Sequence, residues 1–355
     1  MRKFAMTEKE NLTLYGLTRY PSYTDKEMSN KLGLKHSTVT SIRHRLKENG
    51  YYRTQRIPML QNMGCEILVV IYTNFSPLIP LEERVKITGK TIEVFDEIFY
   101  SVGEQDKGFS ISMSSDISTI GRINDIRTQT FGSRGLMEDQ YPNLVVFPID
   151  ISKVYRFFDF STLLRSNFKI EAPEDEIPLE EDHWKRNEIS FSNTEKKVYF
   201  QLINNPESSD SEVADLMGIS RHTVSKLRRE FEQDNLIRKI NIPDLGKLSF
   251  DIMAFYHIKF DPRNPPDMEK DEAKALMGSS NIFTFCRRFE LIMLCAYFDY
   301  DSYKMDRTRV LQILKENRWI ADHPMIRTYS LKKMIVIKDF KFVPLTKKII
   351  GYIEE

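Results

Sequence analysis

Residues 209–239, SDSEVADLMGISRHTVSKLRREFEQDNLIRK, repeat in outline residues 24–54, TDKEMSNKLGLKHSTVTSIRHRLKENGYYRT. A shift of 185 positions lays residues 25–77 over 210–262 without a gap, with 13 identities in 53 positions. Solenoid units repeat every ~20–50 residues, so a period this long reads as a whole module present twice. A fainter echo, KVYRFFDF at 153–160 and KMIVIKDF at 333–340, follows at a shift of 180. At 355 residues the chain suits two to four domains of ~50–200 residues, and two modules of two domains each satisfy both constraints.

Each copy opens with apolar residues at helical spacing, in TEKENLTLYGLTRY from Thr7 and TEKKVYFQLINN from Thr194, and each run ends at a proline, Pro21 or Pro206. Thr24 with Glu27, and Ser209 with Glu212, match the reciprocal cap in which a hydroxyl and a carboxylate three residues apart satisfy each other's backbone N–H. Gly33 and Gly218 end that second helix, because glycine takes the left-handed conformation of a tight turn without a Cβ clash. A third helix follows, with one apolar stripe formed by Val39, Ile42 and Leu46 or by Val224, Leu227 and Phe231. GYYRTQRIP and NLIRKINIP then read as a wing strand.

Beyond the wing the period changes. Strands are expected at 66–75, 98–102, 108–114 and 143–158, with helices at 80–97 and 118–131; in the second copy the strands are 251–260, 281–288, 291–298 and 325–343, with helices near 266–277 and at 302–317. This β-α-β-β-α-β order is ferredoxin-like. The expected fold class is therefore α+β, two tandem repeats that are each a winged helix-turn-helix followed by a ferredoxin-like domain. The boundaries are winged helix 1–64, ferredoxin-like 65–170, acidic linker 171–187, winged helix 188–248 and ferredoxin-like 249–355. The linker contains EAPEDEIPLEED, with seven acids and no base, a composition that stays solvated.

A helix-turn-helix offers its third helix to the major groove, and local charge supports that use. Residues 35–56 carry six Lys/Arg against one acid, a local +5, and residues 221–239 carry six against three, a local +3, in a chain whose net charge is +1. Phosphates spaced every ~1.7 Å along a duplex reward such clustering through counterion release. Opposite the apolar stripes stand His36, Ser37, Thr40, Ser41 and His44, and Arg221, His222, Ser225, Lys226 and Arg229, residue types that read base edges. Arg43 and Arg228, which coincide between copies, are assigned to phosphate. The wing cations Arg53, Arg56, Arg238 and Lys239 complete the DNA-binding set.

MGISRHTVSKLRREFEQDNLIRKINIPDLGKL and, more loosely, KLGLKHSTVTSIRHRLKENGYYR resemble the Lrp/AsnC family of prokaryotic regulators, in which a winged helix precedes a ferredoxin-like sensing and oligomerising domain. The resemblance implies a transcription regulator that acts as a covalent pseudo-dimer on double-stranded DNA. A cytoplasmic location is expected because MRKFAMTEKENLTLY meets charge too soon for a secretory apolar stretch and the three cysteines fit a reducing compartment. Candidates for further partners are a small-molecule effector at the interface of the ferredoxin-like domains and a homodimer of such pseudo-dimers. The family's glycine-containing ligand loop has its nearest approach in SVGEQDKGFSISM, 101–113. Related Lrp-like proteins include sirohaem decarboxylases, so a tetrapyrrole enzyme is one alternative, and a winged-helix protein scaffold is another.

Catalytic motifs are sparse. His257 is the one histidine on an expected sensing-domain strand, and no Cys/His cluster, phosphate loop or Ser/His/Asp set stands out. The chain is accordingly expected not to be an enzyme and to need neither metal nor cofactor, and no cofactor-binding residue is assigned. Cys65, Cys286 and Cys295 form no disulfide framework; a redox pair of Cys286 and Cys295 on neighbouring strands is an alternative to a structural role. The longest apolar runs, such as EILVVIYTNF, are strand-length and fall short of the ~20 residues of a membrane span, so no membrane association is expected.

Overall fold

The computed structural model describes residues 6–171 and 190–352. Most of the expected acidic linker, with His183, lies outside the described residues. The helices are α1 (Glu8–Arg19), α2 (Asp25–Leu32), α3 (His36–Glu48), α4 (Leu81–Glu93), α5 (Ile117–Gly132), α6 (Ser161–Phe168), α7 (Asn193–Asn204), α8 (Asp210–Met217), α9 (Arg221–Gln233), α10 (Asp271–Lys274), α11 (Tyr300–Glu316) and α12 (Val343–Ile350). The strands are β1 (Tyr52–Pro58), β2 (Ile67–Asn74), β3 (Ile98–Gly103), β4 (Lys107–Ser114), β5 (Asn143–Pro148), β6 (Ser152–Phe157), β7 (Ile237–Pro243), β8 (Ile252–Lys259), β9 (Asn281–Arg287), β10 (Glu290–Tyr297), β11 (Met325–Ser330) and β12 (Ile335–Lys338). No helix among the described residues is long and apolar enough to cross a membrane.

The fold is the mixed α+β arrangement expected, with two winged helix-turn-helix modules and two ferredoxin-like sheets. Reciprocal caps start α2 and α8 at Thr24–Glu27 and Ser209–Glu212, and the same device starts α1 at Thr7–Glu10 and α7 at Ser192–Glu195. Gly33 and Gly218 both take φ 64°, the left-handed turn that glycine permits. Val39, Ile42 and Leu46 are buried under α3, as are Val224 and Phe231 under α9. One expected helix shrinks: the segment near 266–277 keeps a single turn, α10, because Pro265 and Pro266 hold the chain extended where the helix would begin.

The chain divides into two compact units, and neither follows the order of the sequence. The first contains α1–α3 together with the sheet β11-β8-β10-β9-β6. The second contains α7–α9 together with the sheet β12-β3-β4-β2-β5. Each unit thus joins the helix-turn-helix of one repeat to the sheet of the other. The strands of the fainter echo are the exchanged ones: β6 pairs with β9 through Val154↔Phe285, and β12 pairs with β3 through Val336↔Val102. The helices after them follow, α6 packing on α1 and α12 on α7. The wing strands β1 and β7 pair with each other. In the first unit, α10 and α11 cover one sheet face over a core that includes Tyr256, Met293, Val310 and Leu314. In the second, α4 and α5 cover one face over Val69, Ile71, Ile92 and Ile123.

Candidate functional site

On the two recognition helices the structure divides the expected DNA-contacting set. His36, Ser37, Thr40, Ser41 and His44 on α3, and Arg221, His222, Lys226 and Arg229 on α9, are exposed, with Ser225 half-buried. Several of them already have partners. Thr40 donates to Asp25 Oδ2 at 2.7 Å, His44 lies 3.1 Å from Glu48, Lys226 lies 3.7 Å from Glu230, and Arg229 donates to Ser225 Oγ at 3.2 Å.

The two shared arginines hold their own modules together. Arg43 Nε lies 2.9 Å from Asp25 Oδ1, and its Nη2 donates to the Tyr23 carbonyl at 3.1 Å. Arg228 donates from Nε and Nη2 to the two oxygens of Asp210 at 2.8 and 3.1 Å, and from Nη1 to Glu232 at 2.9 Å. Asp25 and Asp210 are themselves a repeat pair, each the first residue of the second helix, so one interhelical ion pair occurs twice. The hydrogen bonds that Arg228 donates to Asp210 raise its pKa. For Asp210, burial pushes the carboxyl up, but hydrogen bonding and charge from Arg228 outweigh it and hold the group below the usual carboxylate range.

Arg56 requires a correction. Its side chain is buried and donates to the carbonyls of Leu202, Asn205 and Ser208, at 3.4, 3.2 and 3.0 Å, so it closes the C-terminus of α7 and does not face nucleic acid. Its repeat mate Asn241 donates to the Leu17 carbonyl at 2.7 Å and accepts from Thr54, doing the same for α1. Arg53, Arg238 and Lys239 lie half-buried on the wings.

A different group gathers on the sheet of the first unit, on the face opposite α10 and α11. Alternation along the strands puts His257, Lys259, Glu290, Arg287 and Arg327 on this face beside Phe255, Phe285, Ile292 and Leu294. Glu290 opens β10 directly across from Arg287, the last residue of β9, and diagonally from His257, whose cross-strand neighbour is Ile292. Its Oε1 lies 2.7 Å from His257 Nε2, and its Oε2 accepts from Arg287 Nε at 2.9 Å. His257 and Glu290 are buried, while the Arg287 side chain keeps 41% exposure and Lys259 is exposed. The charged end of the face therefore reaches solvent at the β9–β10 hairpin. Burial pushes Glu290 up, but hydrogen bonds from His257 and Arg287 prevail and keep it below the usual range. At the positions of the first repeat equivalent to His257 and Lys259 stand Tyr72 and Asn74, so this group occurs once. In the sequence His257 was visible only as a lone strand histidine; its partner, 33 positions away, is supplied by strand pairing.

The cysteines do not form a redox pair. Cys286 lies opposite Leu291 and Cys295 opposite Asn281, a stagger of four residues that separates them by roughly 13 Å along the strand, well beyond disulfide reach. Burial pushes the thiols of Cys65, Cys286 and Cys295 up to about 12, which makes them poor nucleophiles.

No family model matches the chain, and no curated protein matches it by sequence. Among solved structures it is similar to the siroheme decarboxylase NirDL, with 10% identity and a TM-score of 0.52 over 97% of this chain and 99% of that one. The same enzyme in co-complex with an iron-uroporphyrin III analogue matches with 9% identity and a TM-score of 0.51, again over 97% and 99%. E. coli AsnC is similar over 41% of this chain and 93% of its own, with 13% identity and a TM-score of 0.31. The full-length likeness supports the fold, including both helix-turn-helix modules and both sheets. It also overturns the expectation of a non-catalytic chain, since these two structures, matched over 97% of it, belong to an enzyme.

Proposed function

We propose that this chain is an enzyme that decarboxylates a tetrapyrrole, working on an Lrp/AsnC-like architecture. The observation that carries the reading is the His257–Glu290–Arg287 group, a buried acid–base pair with a cation at its mouth, on a fold shared from end to end with a siroheme decarboxylase. A tetrapyrrole carries carboxylate arms, and the end of this face that reaches solvent sets the cations Arg287 and Lys259 beside His257 and Glu290. Arg287 and Lys259 receive an arm through charge-assisted hydrogen bonds. The C–C bond to that carboxylate breaks, CO2 leaves, and the electron pair remaining on carbon takes a proton from the His257 imidazolium, which solvent then restores. Glu290, 2.7 Å from His257 Nε2, holds the imidazole in orientation, a role carboxylates commonly have beside catalytic histidines. Titration of the full chain with sirohaem and with iron-uroporphyrin, followed by visible absorbance, CO2 release and product mass, tests this. His257→Gln is expected to keep binding and lose about 10²–10⁴-fold in turnover, and Arg287→Ala to weaken binding. Absence of any saturable spectral change in the wild-type chain overturns the proposal.

Duplex DNA contact is a second reading, favoured by the exposure of the first turn in both recognition helices, His36 and Ser37 on α3 and Arg221 and His222 on α9. Its test is the salt dependence of duplex binding, where each lost phosphate contact lowers the log–log slope by about 0.9.

A further inference from the structure

In the second unit, the layer between the sheet and its helices contains two buried arginines that form no ion pair among the described residues. The inward stripe of α4 is Arg84, Thr88 and Ile92, and that of α5 is Ile120, Ile123, Arg127 and Phe131. Helices that pack on a sheet ordinarily turn apolar residues inward, yet Arg84 is 1% exposed and Arg127 2%. Arg127 Nη1 donates to Ser110 Oγ at 2.7 Å, Arg84 Nη2 donates to the Glu104 carbonyl, and among the described residues the Nε of each has no acceptor. Among the described residues no carboxylate forms an ion pair with either. The acid that Arg84 feels is Asp106, which is exposed and lies 3.5 Å from Lys107 Nζ. The corresponding layer of the first unit differs: there Arg309 is paired with Asp306 at 2.7 Å, and Asp306 accepts from Tyr297 and Ser280.

The two guanidiniums bracket one aromatic pair. Arg84 stands 4.3 Å from the Phe75 centroid, Arg127 5.8 Å from that of Phe131, and the two rings are 6.0 Å apart. Beneath them the sheet is unusually bare, with Ser101 opposite Ser110 and Gly103 opposite Gly108. A Cβ on Gly103 would sit 3.4 Å from both terminal nitrogens of Arg84, and one on Gly108 would come within 2.9 Å of the Val102 carbonyl. Nearby, Ser112 Oγ is buried without a hydrogen-bond partner among the described residues. Desolvation lowers both arginine pKa values to about 10, which still leaves them charged at neutral pH, and a buried charge is tolerated when it is paired.

We propose that Arg84 and Arg127, above the floor of Ser101, Gly103, Gly108 and Ser110, form a binding site for a small oxyanion, a phosphate or carboxylate group that supplies the missing counter-charge. The site is independent of the tetrapyrrole reading, which uses a different sheet. Thermal unfolding of the full chain, at constant ionic strength held with sodium chloride, is measured against inorganic phosphate in one arm and succinate in the other. The expected result is a saturable rise of about 5 °C at a hundred-fold excess over Kd in at least one arm, and the arm identifies the anion. Arg84→Met/Arg127→Met is expected to lose that rise while melting no lower than the anion-free wild type, because an apolar side chain of similar volume replaces an unpaired charge. A rise that persists in the double variant overturns the site. Should the variant fail to fold, calorimetric titration of the wild-type chain decides, and no saturable binding of either anion overturns the site equally.

Discussion

Arg43 and Arg228 illustrate how a repeated residue misleads when its partner is out of view. Both lie on the third helix of a basic module, where an arginine suggests phosphate, yet each reaches back to the aspartate that opens the second helix. Removing Arg228 leaves Asp210 and Glu232 half-buried without their cation, and the expected loss is about 1–3 kcal/mol; Arg43→Ala, with one carboxylate partner and a more exposed pair, should cost less, about 1 kcal/mol. Denaturant titration of the two variants checks the order. The Asp210 carboxyl is depressed in the folded state, so its contribution is complete above its unfolded pKa of about 3.9 and disappears as pH falls through the folded value. Arg228→Ala is therefore expected to flatten the acid limb of stability against pH, and an unchanged limb would place the stabilisation elsewhere.

At the scale of elements, local rules account for the helices and local rules fail for the strand ends. The four reciprocal caps and the glycines at φ 64° are written within four or five residues of sequence, and the structure follows them. The wings follow a longer rule. Arg56 and Asn241 occupy one repeat position on β1 and β7, and each satisfies carbonyls at the end of the first helix of the opposite repeat. Buried C-terminal carbonyls without donors are costly, so Arg56→Leu should destabilise by about 2 kcal/mol. Hydrogen exchange would locate the effect: faster exchange is expected in α7, with α1 unchanged, and uniform loss across both helices would contradict the assignment.

For the whole molecule, the exchange of β6 and β12 means that each compact unit is built from both halves of the sequence. A protease site introduced into the acidic segment EAPEDEIPLEED, between the two repeats, should cut the chain without separating it, because every sheet would still contain strands from both fragments. Gel filtration after cleavage should give one peak at the mass of the intact chain under native conditions and two after denaturation. Fragments that part under native conditions would mean that the exchanged strands add little. The same architecture has a consequence for stoichiometry, since the His257 group has Tyr72 and Asn74 at its first-repeat counterparts. One tetrapyrrole per chain is expected, and titration to two equivalents would require a second site.

The sequence by itself determined what depends on neighbours a few residues away. Caps, the glycine turns, the stripe of Val39, Ile42 and Leu46, and the order of strands and helices all follow from spacings of two to four residues, which side-chain identity specifies directly. It also revealed KVYRFFDF and KMIVIKDF as equivalents. Only the tertiary structure decided which sheet each of them enters, where Arg56 points, that Arg43 and Arg228 serve aspartates, and that His257 meets Glu290. The physical reason is that strands choose partners through backbone hydrogen bonds that every residue except proline can donate; alternation specifies which side chains share a face, while the neighbouring strand, 33 residues away for Glu290 and more than 120 for the β6–β9 pair, is selected by the packing of the whole chain.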